Sequence, residues 1–475
     1  MLLAAAGCAA TAPPCPDARG LSPATSLASD AARPPSTART AGAAAPSSAL
    51  ARDLDALLDG SPALRGTALG VRIERADGGL VYERDGDARL VPASSMKLLT
   101  TIAALHRLGP EHRFRTRVGA SKPPRDGVLE GELIITGEGD PSIGPRLHAG
   151  DPWAVFAQWA DHLRSAGVVS VRGRIVLDRS GFDGSGRGRG WESDDENLAF
   201  AAPFGPLVFR ESTWRLEARG ADRAGERAQV TAGPAPELVP LRGAIDTLSE
   251  GGAIRAEPLG TTGTWRVSGA VAKGRTSALE LAVDDPTAYF GDALRVGLAR
   301  AGIDTAKAEV AIASEPRAQP PLALFEHASP PLRELVRPLL EHSVNLYAEA
   351  LLVALSEGSG PASARAGTVG LRRALAELGV DPSGWLAVDG SGLSRHDLAS
   401  ARALTTALCA GLRAPYGAVL RDALPLAGRT GTLAARMKGT PLEGRVRAKT
   451  GSMTGVRALA GELTPRQGEP LVFAF

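Results

Sequence analysis

What most constrains this chain is where its polar clusters fall. Ser94-Ser95-Met96-Lys97 opens an apolar segment that ends at Gly109-Pro110. Ser343-Val344-Asn345 opens a second apolar segment, and Lys449-Thr450-Gly451-Ser452 ends a short strand-like run near the C-terminus. Side chains three apart share a helix face, so a helix from about Ser94 to Leu108 lets the Ser94 hydroxyl meet the Lys97 amine. A serine needs a base within hydrogen-bond reach to act as a nucleophile, and a lysine serves as that base only when burial or a nearby cation lowers its pKa. The helix start would add backbone N–H groups and the positive dipole end near Ser94. Ser343 and Asn345 put a hydroxyl and an amide two residues apart: the hydroxyl can relay a proton, and the amide can hold Lys97 and a substrate carbonyl. Lys449 supplies a cation, expected to be the one that lowers the pKa of Lys97, and Gly451 lets another backbone come close. Taken singly, each cluster is more commonly an N-cap serine, a surface lysine or an exposed strand end. Their order and combination carry the signal.

With 475 residues the chain exceeds one ordinary core, and two or three domains are expected. Hydrophobic residues make up 44% and charged residues 22%, with a formal net charge of +2, so the chain reads as globular and no basic stripe points to nucleic acid. Cys8, Cys15 and Cys409 fit neither a zinc spacing nor a complete disulfide framework, and no HExxH pair occurs. No metal or cofactor is therefore expected. No apolar stretch reaches the roughly 18 residues of a spanning helix. The apolar start leads into Ala5-Ala6-Gly7-Cys8, which resembles a lipoprotein signal box without its basic leader, so export is expected, with Cys8 as a lipid attachment site. The Pro-, Ala-, Ser- and Thr-rich segment that follows cannot bury enough apolar surface to order itself and reads as a tether.

Order is expected from about residue 48. A helix runs to residue 58 with Gly60 as its stop, and Thr67–Glu74 and Leu80–Glu83 form a hairpin around Ala76-Asp77-Gly78-Gly79. From about Thr116 the texture becomes β-rich, with strand candidates at Leu129–Thr136, Val171–Leu177 and Thr264–Val271 between turn signals. Helical periodicity returns at Tyr289–Ala301, Leu332–Leu340, Ser343–Leu355 and Ser363–Leu378, and strands follow at Arg445–Lys449, Val456–Leu463 and Pro470–Phe475. The predicted division is 1–47 as signal and linker, 48–117 with 300–475 as one domain, and 118–299 as one or two inserted β-rich modules. The glycine-rich run 184–190 is not followed by a helix, so it reads as a linker rather than a phosphate loop. The acidic run 192–196 offers carboxylates to a substrate amine, although such a run is more commonly a solvated loop.

The order S-x-x-K, S-x-N, K-T-G resembles the motif set of the penicillin-recognising serine enzymes. Further segments narrow the resemblance: Pro92–Thr100 around the serine, Gly137-Glu138-Gly139-Asp140-Pro141, Asp389-Gly390-Ser391-Gly392-Leu393-Ser394-Arg395, and Gly444–Gly451 with Thr454-Gly455-Val456. Over roughly residues 50–475 the chain resembles the D-alanyl-D-alanine carboxypeptidase/endopeptidases related to penicillin-binding protein 4, the serine peptidase S13 family. That resemblance implies an α/β (α+β) fold, a transpeptidase-like domain with an antiparallel sheet flanked by helices and extra β-rich modules between the first two motifs. It implies Ser94 as nucleophile, Lys97 as base, Ser343 passing a proton to the leaving amine and Asn345 orienting the acyl group. Lys449, Thr450 and Ser452 would grip a terminal carboxylate, Gly451 would admit substrate along the strand, the N–H groups of Ser94 and Ser452 would hold the oxyanion, and Met453 would line a side-chain pocket. The implied partners are peptidoglycan stem peptides and, as inhibitors, β-lactams, in the periplasm or cell envelope; oligomeric state stays open. Val344 stands where many relatives carry Asp, with a side chain expected to point away from the reaction. The chain stops at Phe475 inside a strand where relatives continue into a further strand and helix, which points to truncation. Two alternatives are a β-lactamase, which needs a carboxylate to activate water that the sequence does not offer, and a silent peptidoglycan-binding protein, which would often have lost the serine.

Overall fold

The computed structural model describes residues 49–184, 186–260 and 263–475. Cys8, Cys15 and the expected tether lie outside the described residues. The described residues fall into two units, one ending at Ala68 and the other Leu69–Phe475. In the first, the expected helix spans Ala49–Asp59, and the Gly60 N–H donates to the Ala56 carbonyl (2.9 Å) where it ends.

In the second unit the hairpin strands Val71–Arg75 and Leu80–Arg84 join three strands from the far end of the sequence. The antiparallel order is Val446–Met453, Val456–Leu463, Leu471–Ala474, Val71–Arg75, Leu80–Arg84. The helix Met96–Arg107 is buried from Met96 through Leu105, on every side. A helix apolar all round belongs in a core rather than on a surface. The helices Leu332–Glu341, Asn345–Ala354, Ala364–Glu377 and Ala401–Arg413 share one hydrophobic cluster with it. Full burial of side chains such as Leu98, Leu99 and Ile102 contributes about 1.5–3 kcal/mol each. The chain therefore folds as the expected α/β (α+β) arrangement of an antiparallel sheet flanked by helices. The Ala-rich helix Ala401–Arg413 was not anticipated. It carries Cys409, buried beside Glu74, where burial pushes the thiol up to about 12 and keeps it unreactive.

A second hydrophobic cluster forms around a five-stranded mixed sheet ordered Glu309–Ala313, Arg174–Asp178, Leu133–Gly137, Arg115–Ala120, Leu322–Ala328. Its entering strand Arg115–Ala120 and leaving strand Leu322–Ala328 pair antiparallel, so the chain comes in and goes out side by side. Smaller sheets centre on Thr213–Arg219 and Trp265–Ala272. The β-rich reading omits one element: Ala154–Ser165 is a helix that buries Val155, Phe156, Trp159, Ala160 and Leu163.

Candidate active site

The nucleophile lies on a strained turn. Ser94 sits in the 3-10 turn Ala93–Ser95 that leads into the helix Met96–Arg107, so the α-helix begins two residues later than the expected start at Ser94. Ala93 has φ 46, a left-handed conformation that costs a non-glycine residue on the order of 1–3 kcal/mol. The surroundings hold it there. A Cβ on Gly392 would lie 1.9 Å from the Ala93 carbonyl oxygen, and one on Gly451 would lie 2.4 Å from the Pro92 carbonyl oxygen. Glycine is required at both positions, because two backbones close on the turn from different sides.

Lys97 is fully buried. Its Nζ lies 3.0 Å from Ser94 Oγ, 2.5 Å from Asn345 Oδ1 and 2.7 Å from the Ser391 carbonyl oxygen. A neutral amine has two N–H groups and one lone pair. Asn345 and Ser391 take the two N–H groups, which leaves the lone pair directed at the serine. Asn345 opens its helix, and its Nδ2 donates to the Phe200 carbonyl at 2.6 Å. Ser343, half-buried, precedes that helix in a left-handed turn with φ 61.

The strand Val446–Met453 brings Lys449 and Gly451 against the nucleophile turn. Lys449 is fully buried and donates to the Thr450 carbonyl (2.8 Å), while Thr450 Oγ1 donates to Thr432 Oγ1 (2.9 Å). Ser452 is exposed and Met453, half-buried, ends the strand. Burial lowers Lys97 from the usual 10.5 to about 8, against the opposing pull of Asp389, Glu349 and Asp397. Burial first, and the charge of Lys97 second, push Lys449 well below its usual range. Desolvation is the largest cause for both lysines, and the two amines also disfavour charge on one another.

Sequence reasoning missed the supports of this set. The Asp389 carboxylate accepts from the backbone N–H groups of Ser391 (2.9 Å), Gly392 (2.6 Å) and Ser394 (2.7 Å), and from Trp191 Nε1 (2.8 Å). Burial and then Asp389 raise Asp397 to about 10, so it keeps its proton at neutral pH. Two glycines of the run expected as a linker are packed instead: a Cβ on Gly186 would lie 2.0 Å from the Phe204 carbonyl oxygen, and one on Gly190 would lie 2.3 Å from the His396 ring. In the acidic run, Glu192 pairs with Arg395 (2.6 Å). Among the described residues no group of three or more His, Cys, Asp and Glu is placed to hold a metal ion.

Known proteins resemble this chain over most of its length. The family model described as D-Ala-D-Ala carboxypeptidase 3 (S13) matches residues 50–475. A D-alanyl-D-alanine carboxypeptidase of Actinomadura sp. (strain R39) is 36% identical over 438 residues, covering 88% of this chain and 79% of that protein. The D-alanyl-D-alanine carboxypeptidase DacB of Haemophilus influenzae is 27% identical over 402 residues, covering 83% and 81%. The crystal structure of penicillin binding protein 4 (dacB) from Haemophilus influenzae superposes with a TM-score of 0.77 at 26% identity, covering 89% of this chain and 92% of that one.

Proposed function

Because the chain belongs to the D-Ala-D-Ala carboxypeptidase 3 (S13) family, we propose that it cleaves the D-Ala-D-Ala ends and D-amino-acid cross-links of peptidoglycan stem peptides through an acyl-enzyme on Ser94. The observation that carries this reading is the Lys97 amine, 3.0 Å from Ser94 Oγ with its remaining hydrogens committed to two fixed acceptors.

Ser94 Oγ attacks the carbonyl carbon of the scissile peptide, and its proton passes to Lys97 Nζ. The N–H groups of Ser94 and Ser452 receive the oxyanion. As the C–N bond breaks, the proton on Lys97 moves through the Ser343 hydroxyl to the departing amine. Asn345 steadies the acyl carbonyl. Water then attacks the ester, Lys97 takes a proton from it, and Ser94 leaves with that proton restored.

Lys449, Thr450 and Ser452 hold the terminal carboxylate, with Gly451 keeping the strand edge open and Met453 lining the substrate side chain. A carboxylate beside Lys449 favours the charged form of that lysine, and a charged Lys449 disfavours charge on Lys97. Substrate entry thus helps to free the base. A β-lactam presents a strained amide and a carboxylate at similar spacing and acylates the same serine, and slow deacylation makes it an inhibitor. Since the substrate is wall material, the enzyme works in the cell envelope, and Cys8 is its proposed lipid anchor. Fatty-acid labelling of cells expressing the wild type but not Cys8→Ser would support that anchor, and equal labelling would remove it.

The test of the main reading is intact mass after incubation with penicillin, wild type beside Ser94→Ala. A stable adduct on the wild type alone is expected, with release of D-Ala from a D-Ala-D-Ala peptide in the same samples. A folded wild type that neither forms an adduct nor consumes the ligand would end the acyl-enzyme reading. Consumption without an adduct would turn it into a β-lactamase.

A further inference from the structure

Asn345 and Glu349 lie one helical turn apart and so share a face of the helix Asn345–Ala354. Asn345 accepts from Lys97 directly. Glu349 is 4% exposed and takes the Gly390 N–H on both carboxylate oxygens, at 3.2 and 3.1 Å. The next carbonyl along, that of Ser391, is the other acceptor of Lys97. Gly390 is also tied from the opposite helix, where Thr100 Oγ1 donates to its carbonyl (2.7 Å) three residues after Lys97. A Cβ at Gly390 would lie 2.5 Å from the Ala348 carbonyl oxygen, so the segment is wedged against this helix. Gly390 is thus held at its carbonyl by Thr100 and at its N–H by Glu349, and the next residue, Ser391, offers the carbonyl that takes one hydrogen of Lys97 and so helps to fix where the amine sends its lone pair.

A carboxyl that is only 4% exposed is costly where an amide could accept the same backbone hydrogen. A carboxyl at this place therefore calls for an explanation beyond packing. The groups that face it are Lys97 from the nucleophile helix and Asp389 from the 389–394 loop, with Asp397 nearby in the same buried set. On the other side it lines a cleft of about 450 Å³ that also carries Arg179, Arg187, Asp183, Asp284 and Asp285. Burial, then Asp389, raises Glu349 to about 8, close to Lys97 itself.

We propose that Glu349 is a positioning residue for acylation: it fixes the Ser391 carbonyl against Lys97, and its charge sets how readily Lys97 gives up its proton. The inference rests on the acyl-enzyme reading above. When Glu349 is charged it holds the proton on Lys97, and when it is neutral it releases that proton.

The test is the pH profile of the second-order rate of Ser94 acylation by penicillin, followed by intact mass, for wild type, Glu349→Gln and Glu349→Leu, with thermal unfolding of each. The Gln variant has no charge there at any pH, so its acid limb is expected about one pH unit below that of the wild type. The Leu variant leaves the Gly390 N–H without its acceptor and is expected to show the same limb shift with a plateau about tenfold lower. A Gln limb that overlays the wild-type limb overturns the proposal. An unlabelled wild type would instead overturn the acyl-enzyme reading, so the two failures are distinguishable. If the Glu349 variants do not fold, Thr100→Val tests the hold on Gly390 from its other side. A lowered plateau with an unmoved limb is expected, and a wild-type plateau overturns the positioning role.

Discussion

At the scale of single residues, Lys97 sets both the chemistry and a cost. It must be neutral to accept the Ser94 proton, and burial holds it at about 8. The acylation rate should therefore rise with pH and reach half its plateau near pH 8, which a stopped-flow profile with a chromogenic β-lactam would check. Its stability effect has a definite sign. The folded-state value is depressed from 10.5, so between about 8 and 10.5 the unfolded chain binds more protons and stability rises with pH. Below that window the buried charge is a constant penalty. Lys97→Met should abolish acylation yet stabilise the fold at pH 7 by up to about 3 kcal/mol, and the gain should fade as pH approaches 10.5. Denaturant unfolding at pH 7 and pH 10.5 would measure it, and a variant less stable than wild type at pH 7 would contradict it. The pairing of Ser94 with Lys97 was legible in the sequence, because three-residue spacing on a helix forces proximity. The Ser391 carbonyl was not, because a backbone acceptor has no side-chain signature. Burial was named beside a neighbouring cation as a cause of the low Lys97 pKa, but that burial comes first was not legible, because charge is visible in a sequence and depth of burial is not.

At the scale of elements, the nucleophile turn is a clamp assembled from three distant segments. The sequence placed the helix after Pro92 and the strand ending in Lys449-Thr450-Gly451, since period and turn residues mark both. It did not show that Gly392 and Gly451 press on adjacent carbonyls, because Ala93 and Pro92 become neighbours of those glycines only after folding. The helix Ala154–Ser165 was periodic enough to be read, but the turn signals on either side drew it into the β-rich interpretation. Gly451→Ala tests the clamp. Its methyl would have to push the strand away from Pro92 and also meet Ser95 Oγ at 3.1 Å. A displacement of this kind, on the order of 1 Å, costs about 100-fold in rate when it separates reacting groups. Penicillin acylation of Gly451→Ala is expected to fall by about that factor in a protein that still unfolds cooperatively. An unchanged rate would mean that the strand does not position the site.

At the scale of the whole molecule, the segment between the first two motifs does more than lengthen the chain. Within the Leu69–Phe475 unit it reaches the catalytic set at two points: the Phe200 carbonyl accepts from Asn345, and the Trp191 indole donates to Asp389. Asp389 in turn organises the loop that offers the Ser391 carbonyl to Lys97. The sequence could announce the extra β-rich modules by their texture but not these two contacts, since neither Phe200 nor Trp191 belongs to a motif. If the inserted segment supports catalysis through Trp191, then Trp191→Phe, which keeps the ring and removes the donor, should cost about 1–3 kcal/mol of stability and slow acylation about tenfold. Trp214→Phe supplies the contrast. That side chain is buried in the second hydrophobic cluster, and its indole N–H has no partner among the described residues. It should lower the unfolding temperature through lost packing, while acylation measured well below that temperature stays at the wild-type rate. If both variants acylate as the wild type does, the segment rests against the catalytic set without shaping it. If only Trp191→Phe is slow, a side chain far from every motif helps to aim the general base.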